Sequence, residues 1–207
     1  MKRTEKNLQS RQRILEGALE EFSAKRYAEA SLNNICNDNN ISKGLIYHYF
    51  NDKDELYLLC VKECFDALTS CLSEAVKTLN GGVEEHLRGY FDARLRFFGD
   101  NPLYLNLFCN AMLHPPMHLL DAINKVKSNF DRLNIAVLTE VLEQVSLRPG
   151  ITVSEVVEDF RAYQDFFNAR YLSMQQSRST ESILRDHEER CHRQLKMLLY
   201  GVVGCDK

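Results

Sequence analysis

The sequence predicts an all-α protein with about nine helices, and three observations carry that reading. Its 207 residues include only nine Gly and four Pro, so long stretches run without a residue that breaks a helix. Apolar side chains recur at the three- and four-residue spacing of a one-faced helix, and no segment alternates in the manner of a strand. The breaks between these stretches fall where Ser, Thr, Asn, Gly or Pro supply caps and turns. No internal repeat or low-complexity tract interrupts the pattern.

The first helix is expected over Ser10–Phe22, with Ile14, Leu15, Ala18, Leu19 and Phe22 inward and Arg11, Arg13, Glu16, Glu20 and Glu21 outward. Ser31 caps a short second helix, Leu32–Asp38, whose inner face is Leu32, Ile35 and Cys36. Asn39 and Asn40 end it, because Asn tolerates the left-handed backbone of a tight turn. Ser42 caps a third short helix reaching Tyr49, with Ile46 and Phe50 inward. Two short helices joined by about four residues form a helix-turn-helix pattern. A long fourth helix, Lys53–Leu79, follows, then Gly81 and Gly82 as a turn and helical stretches over Val83–Phe98, Pro102–Leu113 and Met117–Val145. Pro149 and Gly150 mark a loop, Thr152 or Ser154 caps a helix ending near Met174, and a last helix spans Glu181–Tyr200. The expected division is residues 1–52 as a helix-turn-helix domain and 53–207 as a larger helical domain.

Composition narrows the class. No apolar run approaches the roughly eighteen residues of a membrane helix, and Met1–Ser10 is too charged for a signal peptide, so a cytoplasmic protein without a membrane partner is expected. Seven Cys without framework spacing read as reduced core thiols. The net charge of −3 conceals an asymmetry: Met1–Lys53 carries nine Lys and Arg against seven Asp and Glu, a net of +2. A nucleophile elbow, phosphate loop, zinc motif and paired catalytic carboxylates are all missing from the sequence, so no enzyme, cofactor or metal is expected.

The informative stretch is Ser31–Leu56, SLNNICNDNNISKGLIYHYFNDKDEL. Through Ile41-Ser42-Lys43-Gly44, Tyr47, Tyr49-Phe50, Lys53 and Leu56 it resembles the TetR family of bacterial regulators. The resemblance covers roughly Arg11–Leu59; beyond it the chain agrees with that family in length and helical layout only. Arg26 and Asn40 depart from the family, which usually places Gly at both turns. The resemblance implies a homodimer on a palindromic double-stranded DNA operator, acting as a repressor released by a small ligand.

On the third helix, Lys43, Gly44, Leu45, Tyr47 and His48 face away from Ile46 and Phe50, with Ser42 at the helix start, so this face is expected in the major groove. Gly44 permits close approach, Lys43 can reach phosphate or a guanine edge, His48 can donate or accept, and Leu45 can pack on a thymine methyl. By the resemblance, Ser31, Tyr47 and Lys53 hold phosphates. Tyr49 is open to a packing role, and Lys2, Arg3, Lys6 and Arg11 form either a groove-binding arm or a solvated terminus.

The resemblance also implies that the last two helices pair with their symmetry mates, through Phe160, Tyr163, Phe167, Tyr171, Ile183, Leu184, Leu195 and Leu198. It implies a ligand cavity in the helical domain, for which Phe65, Leu68, Phe91, Leu95, Phe108, Met112, Phe130 and Phe166 are candidates, suiting a hydrophobic or aromatic molecule. Asp92, Arg94 and Arg96 read as solvated face residues or as its polar anchor. Cys60, Cys64 and Cys71, four and seven apart, are expected on one side of the fourth helix, and His187, Cys191 and His192 cluster on the last. Either group offers thiol or metal sensing as an alternative to the small ligand, and a protein partner is a third.

Overall fold

The computed structural model describes residues 3–79, 81–173 and 180–203, without the side chains of residues 3, 4, 6, 164–173, 180, 181, 183, 184, 188 and 202. Among the described residues, ten α-helices follow one another: α1 (Arg3–Ala24), α2 (Leu32–Asp38), α3 (Lys43–Tyr49), α4 (Lys53–Val76), α5 (Val83–Asp100), α6 (Pro102–Leu113), α7 (Leu120–Val126), α8 (Ser128–Glu143), α9 (Val153–Ser173) and α10 (Thr180–Val202). A 3-10 turn, Met117–Leu119, precedes α7, and an isolated antiparallel bridge joins Leu147 to Val203. None of the described helices is long and apolar enough to cross a membrane.

The chain divides into two compact units, Met1–Phe65 with Asn101–Lys127, and Asp66–Asp100 with Ser128–Lys207. These cuts differ from a division at residue 52, because α6 and α7 belong with the N-terminal helices. They also explain why the expected single helix over Met117–Val145 is three elements. α7 closes at Lys127, whose N–H bonds Ile123 O, and α8 starts afresh at Ser128 as part of the other unit. No Gly or Pro marks that junction, so periodicity alone runs through it.

In the first unit α1 buries Ile14, Leu15, Ala18 and Phe22, and its partners are α6 and α2. Asn110 on α6 donates its amide to Phe22 O at 3.2 Å and Lys25 O at 3.3 Å, supplying partners for carbonyls that the end of a helix leaves open. Glu21 corrects the expectation of an outward side chain, for it is buried. Its Oε1 accepts from Ser31 N–H and Asn34 Nδ2, both at 2.9 Å, and Lys25 Nζ lies 2.9 Å from Oε2. The carboxylate thereby fixes the start of α2 against the end of α1.

The second unit packs α5 against α10 and α8, and α8 against α9. Tyr90 of α5 donates to Asn134 Oδ1 of α8 at 2.7 Å. Thr152 is the cap of α9, accepting from Glu155 N–H at 3.3 Å while Glu155 Oε2 accepts from Thr152 N–H at 2.9 Å, a reciprocal box. Arg148 reaches the carbonyls of Tyr200 and Val203 at the end of α10.

Burial pushes the Glu21 carboxyl up, but the bonds from Lys25, Asn34 and Ser31 N–H outweigh it and hold its pKa below the ordinary 4.5. Its stabilising contribution is therefore present above that value and lost as pH falls through the lower, folded value. Glu21→Ala, which leaves the Ser31 N–H and the Asn34 amide without their acceptor, is expected to cost about 2–3 kcal/mol in urea unfolding at neutral pH. The difference from wild type should shrink on acidification; a gap that stays constant down to about pH 3 counts against the carboxylate's role.

Candidate nucleic-acid interface

The interface is built on α2, α3 and the turn between them. Ser31 Oγ accepts from Asn33 N–H at 3.2 Å and Ser42 Oγ from Leu45 N–H at 3.2 Å, so both serines are the expected caps. Each hydroxyl keeps its own O–H to donate outward. Asn40 has φ of 50°, the left-handed value the turn requires, and Ile41 N–H closes it on Cys36 O at 2.9 Å. Arg26, the other position where the family places Gly, has no positive φ; its carbonyl accepts from Glu29 and Ala30 instead.

Two features that anchor this turn had no helical-spacing signal. Arg13 of α1 donates to the carbonyls of Asn39 and Asn40. Gly17 faces the same place: a Cβ there would stand 2.3 Å from Asn39 Nδ2, so the Asn39 side chain packs over it where a larger residue would push that side chain aside. Ile35, Ile41, Ile46 and Phe50 are buried, and the Arg11 guanidinium lies 5.5 Å from the Phe50 ring centre.

The opposite face of α3 is open. Ser42, Lys43, Gly44, Tyr47 and His48 are exposed and Leu45 is half-buried. Tyr47 is an apolar ring half in solvent, 50% exposed, and space above Gly44 is empty to 4 Å from where a Cβ would stand. Tyr49 is half-buried, edge-on to His48 at 4.8 Å, and its hydroxyl donates to Asn7 Oδ1 at 3.3 Å.

Lys53, at the start of α4, is turned inward. Its ammonium donates to Tyr27 O at 2.7 Å and Ala30 O at 3.0 Å and lies 4.0 Å from the centre of the Tyr27 ring. Burial lowers its pKa from the ordinary lysine value, against the attraction of Asp54 and Glu21. Two of its three N–H donors are occupied, leaving one for an outside anion.

Residues 14–60, from Ile14 through the whole helix-turn-helix to Cys60, match the family described as bacterial regulatory proteins, tetR family. Over this stretch the chain is similar to the TetR family. Its relatives include the transcriptional repressor AcnR of Corynebacterium efficiens, 31% identical over 93 residues, 45% of this chain and 46% of that protein. The chain thus matches just under half the length of that curated relative. The biofilm operon negative regulator IcaR of Staphylococcus epidermidis is 23% identical over 133 residues, 63% of this chain and 66% of that one. Among solved structures, a transcriptional regulator from Cytophaga hutchinsonii has a TM-score of 0.67 at 16% identity, covering 92% of this chain and 97% of that one. FadR from Bacillus subtilis, solved with stearoyl-CoA, gives 0.65 at 16% identity, covering 87% and 96%. The fold is that of TetR regulators, with an N-terminal helix-turn-helix and a helical C-terminal region.

The remaining candidates fall into separate groups. Phe65 meets Phe108 at 5.4 Å in the first unit, where Met112 is half-buried. In the second, Phe91 and Phe130 flank Arg94, whose guanidinium lies 5.3 and 6.0 Å from their ring centres; Leu68 is buried and Leu95 half-buried. Arg94 is 5% exposed, which corrects its reading as a solvated face residue. A pocket of about 170 Å³ that the sequence did not indicate lies between Val83, Leu87, Val145, Leu199 and His192. His192 stacks on Phe91 at 5.3 Å.

Of the expected dimer residues, Phe160 and Leu195 are buried within the single chain, Leu195 on the inner face of α10. Tyr163 and Leu198 are half-buried. Met197 and Tyr200, 61% and 66% exposed, lie on the outer side instead. The side chains of Phe166, Phe167, Tyr171, Ile183 and Leu184, and of Lys2, Arg3 and Lys6 in the basic arm, lie outside the described residues.

Cys60, Cys64 and Cys71 do not share an environment. Cys60 and Cys64 are buried, which pushes both thiols well above the ordinary value, whereas Cys71 is exposed. Cys191 is buried with its sulfur 3.8 Å from His187 Nδ1. No group of three metal-ligating side chains occurs among the described residues.

The turn supplies a test of its own geometry. Asn40→Ala keeps a Cβ in the left-handed region but loses the short polar side chain that eases it, and should destabilise the protein by about 1 kcal/mol, whereas Asn40→Gly should be nearly neutral or stabilising. Equal urea midpoints for the two variants would contradict the strained turn.

Proposed function

We propose that the protein is a dimeric DNA-binding transcriptional repressor whose helical region senses a small hydrophobic or aromatic molecule. The observation that carries the reading is the two-sided α3, with Ile46 and Phe50 locked into the core and Lys43, Gly44, Tyr47 and His48 facing solvent around an open glycine. Residues 1–52 act as the DNA-binding domain and 53–207 as the sensing and dimerising region. Ser31, Ser42 and Tyr47 offer hydroxyls to phosphate, and Lys53 its remaining N–H. Relatives named as repressors support this direction of control.

α9 and α10 form the dimer seam, with the exposed Met197 and Tyr200 of α10 joining the half-buried Tyr163 and Leu198. For the ligand, the acyl-CoA held by FadR and the Phe91–Arg94–Phe130 cluster here favour an organic molecule with an apolar body and an anionic group. The ligand acts only as far as it binds the DNA-free state better than the DNA-bound one.

Footprinting on the protein's own upstream intergenic region, at fixed salt, tests the proposal. A protected palindrome is expected. Gly44→Ala should keep or raise stability by roughly 0.5–1 kcal/mol, because its Cβ meets nothing, and yet weaken protection by crowding the duplex. Tyr47→Ala should lower affinity about tenfold or more without changing the sequence protected. Failure to protect any site in that region or genome-wide would overturn the reading.

A further inference from the structure

The contacts around Lys53 extend to a residue remote from the helix-turn-helix in sequence. His118 lies in the 3-10 turn between α6 and α7, in the same compact unit as α1 to α3. Its Nε2 is 3.2 Å from Asp54 Oδ2, and its ring meets that of Tyr27 at 5.4 Å and 61°. The other oxygen of Asp54 accepts from the Tyr27 hydroxyl. Tyr27 in turn presents both its carbonyl and its ring face to the Lys53 ammonium. The contacts thus run unbroken from His118 through Asp54 and Tyr27 to Lys53.

Other groups that face this chain are few. Asp52 acts on Tyr27, Lys53 on Asp54, the buried Glu21 carboxylate on Lys53, and the Tyr57 ring packs on that of Tyr27 at 5.0 Å. The Tyr27 hydroxyl and then His118 hold the Asp54 carboxyl below its ordinary value, so Asp54 is a carboxylate beside a lysine that is to meet phosphate. An imidazolium at His118 offsets that negative charge and pins the second carboxylate oxygen, which keeps Tyr27 in place under the ammonium. A neutral His118 leaves the carboxylate to draw Lys53 inward and to repel phosphate.

We propose that His118 is a positioning residue for the phosphate contact of Lys53, and that its protonation strengthens DNA binding. This rests on the regulator reading. Because His118 is more than half exposed, its pairing with Asp54 is a modest lever, and the change in affinity is about two- to fourfold.

The test is anisotropy of a labelled random-sequence duplex of about 40 base pairs, at one low salt concentration, from about pH 5.5 to about pH 8. Wild type, His118→Asn and His118→Arg are compared, with thermal unfolding of each. His48 on α3 is common to all three proteins, so only the difference between profiles belongs to His118. The expected result is that His118→Asn loses about two- to fourfold at the acid end and matches wild type at the alkaline end. His118→Arg should stay tight throughout, because a permanent cation replaces the imidazole. Superimposable profiles for wild type and His118→Asn, or an Arg variant no tighter than the Asn variant at alkaline pH, would sink the proposal while leaving the regulator reading intact. If wild type retains no duplex at any pH, the regulator reading fails and takes this inference with it.

Discussion

The recognition surface depends on one buried carboxylate. Glu21 stands at the last turn of α1, and the groups it accepts from are the first N–H of the α2 cap and an amide on α2 itself. A carboxylate at that place is attracted by the positive end of α2 and by Lys25, and its burial makes each of those bonds stronger than in water. With α2 fixed, the turn at Asn39 and Asn40 is clamped from the side by Arg13 and by the close approach at Gly17. The orientation of α3 follows, since its buried inner face, Ile46 with Phe50, is short. A seven-residue helix has little stability of its own, so these outside ties decide where its exposed face points.

A second theme in the first unit is the use of side chains to satisfy helix ends and loop carbonyls. Asn110 closes the end of α1, and Lys53 gathers the carbonyls of Tyr27 and Ala30 in the connection to α2. Asp52 receives Glu55 N–H at 2.8 Å while Glu55 holds Asn51, so α4 is capped just after the helix-turn-helix ends. Each of these bonds joins segments distant in sequence or locks a helix start. Lys53 thereby serves the fold, with two of its three N–H groups given to loop carbonyls.

The second unit carries a different chemistry. Arg94 is buried against two aromatic rings, an arrangement that stabilises a guanidinium by the ring faces where water is excluded. The inner face of α10 is spent on its own chain, through Cys191, Leu195 and Leu199, and the outward Met197 and Tyr200 are what remains for another surface. Burial also separates the thiols: it pushes those of Cys60 and Cys64 well above the ordinary value, whereas Cys71 on the same helix is exposed.

By itself the sequence determined the helical class, the boundaries of α2, α3 and α6, the capping roles of Ser31 and Ser42, and the left-handed Asn40, and it narrowed the cap of α9 to Thr152 or Ser154. These are local facts: a cap or a turn involves residues within about four positions, and its chemistry is written in the residue types there. The tertiary structure alone decided that Glu21 and Arg94 are buried, that Lys53 points inward, that Gly17 is a contact point, that Cys71 parts from Cys60 and Cys64, and that helix breaks at Lys127. Periodicity assigns a charged side chain to the outside because an isolated charge in the core is costly. It cannot see a partner that arrives from another helix, and it is that partner which reverses the assignment.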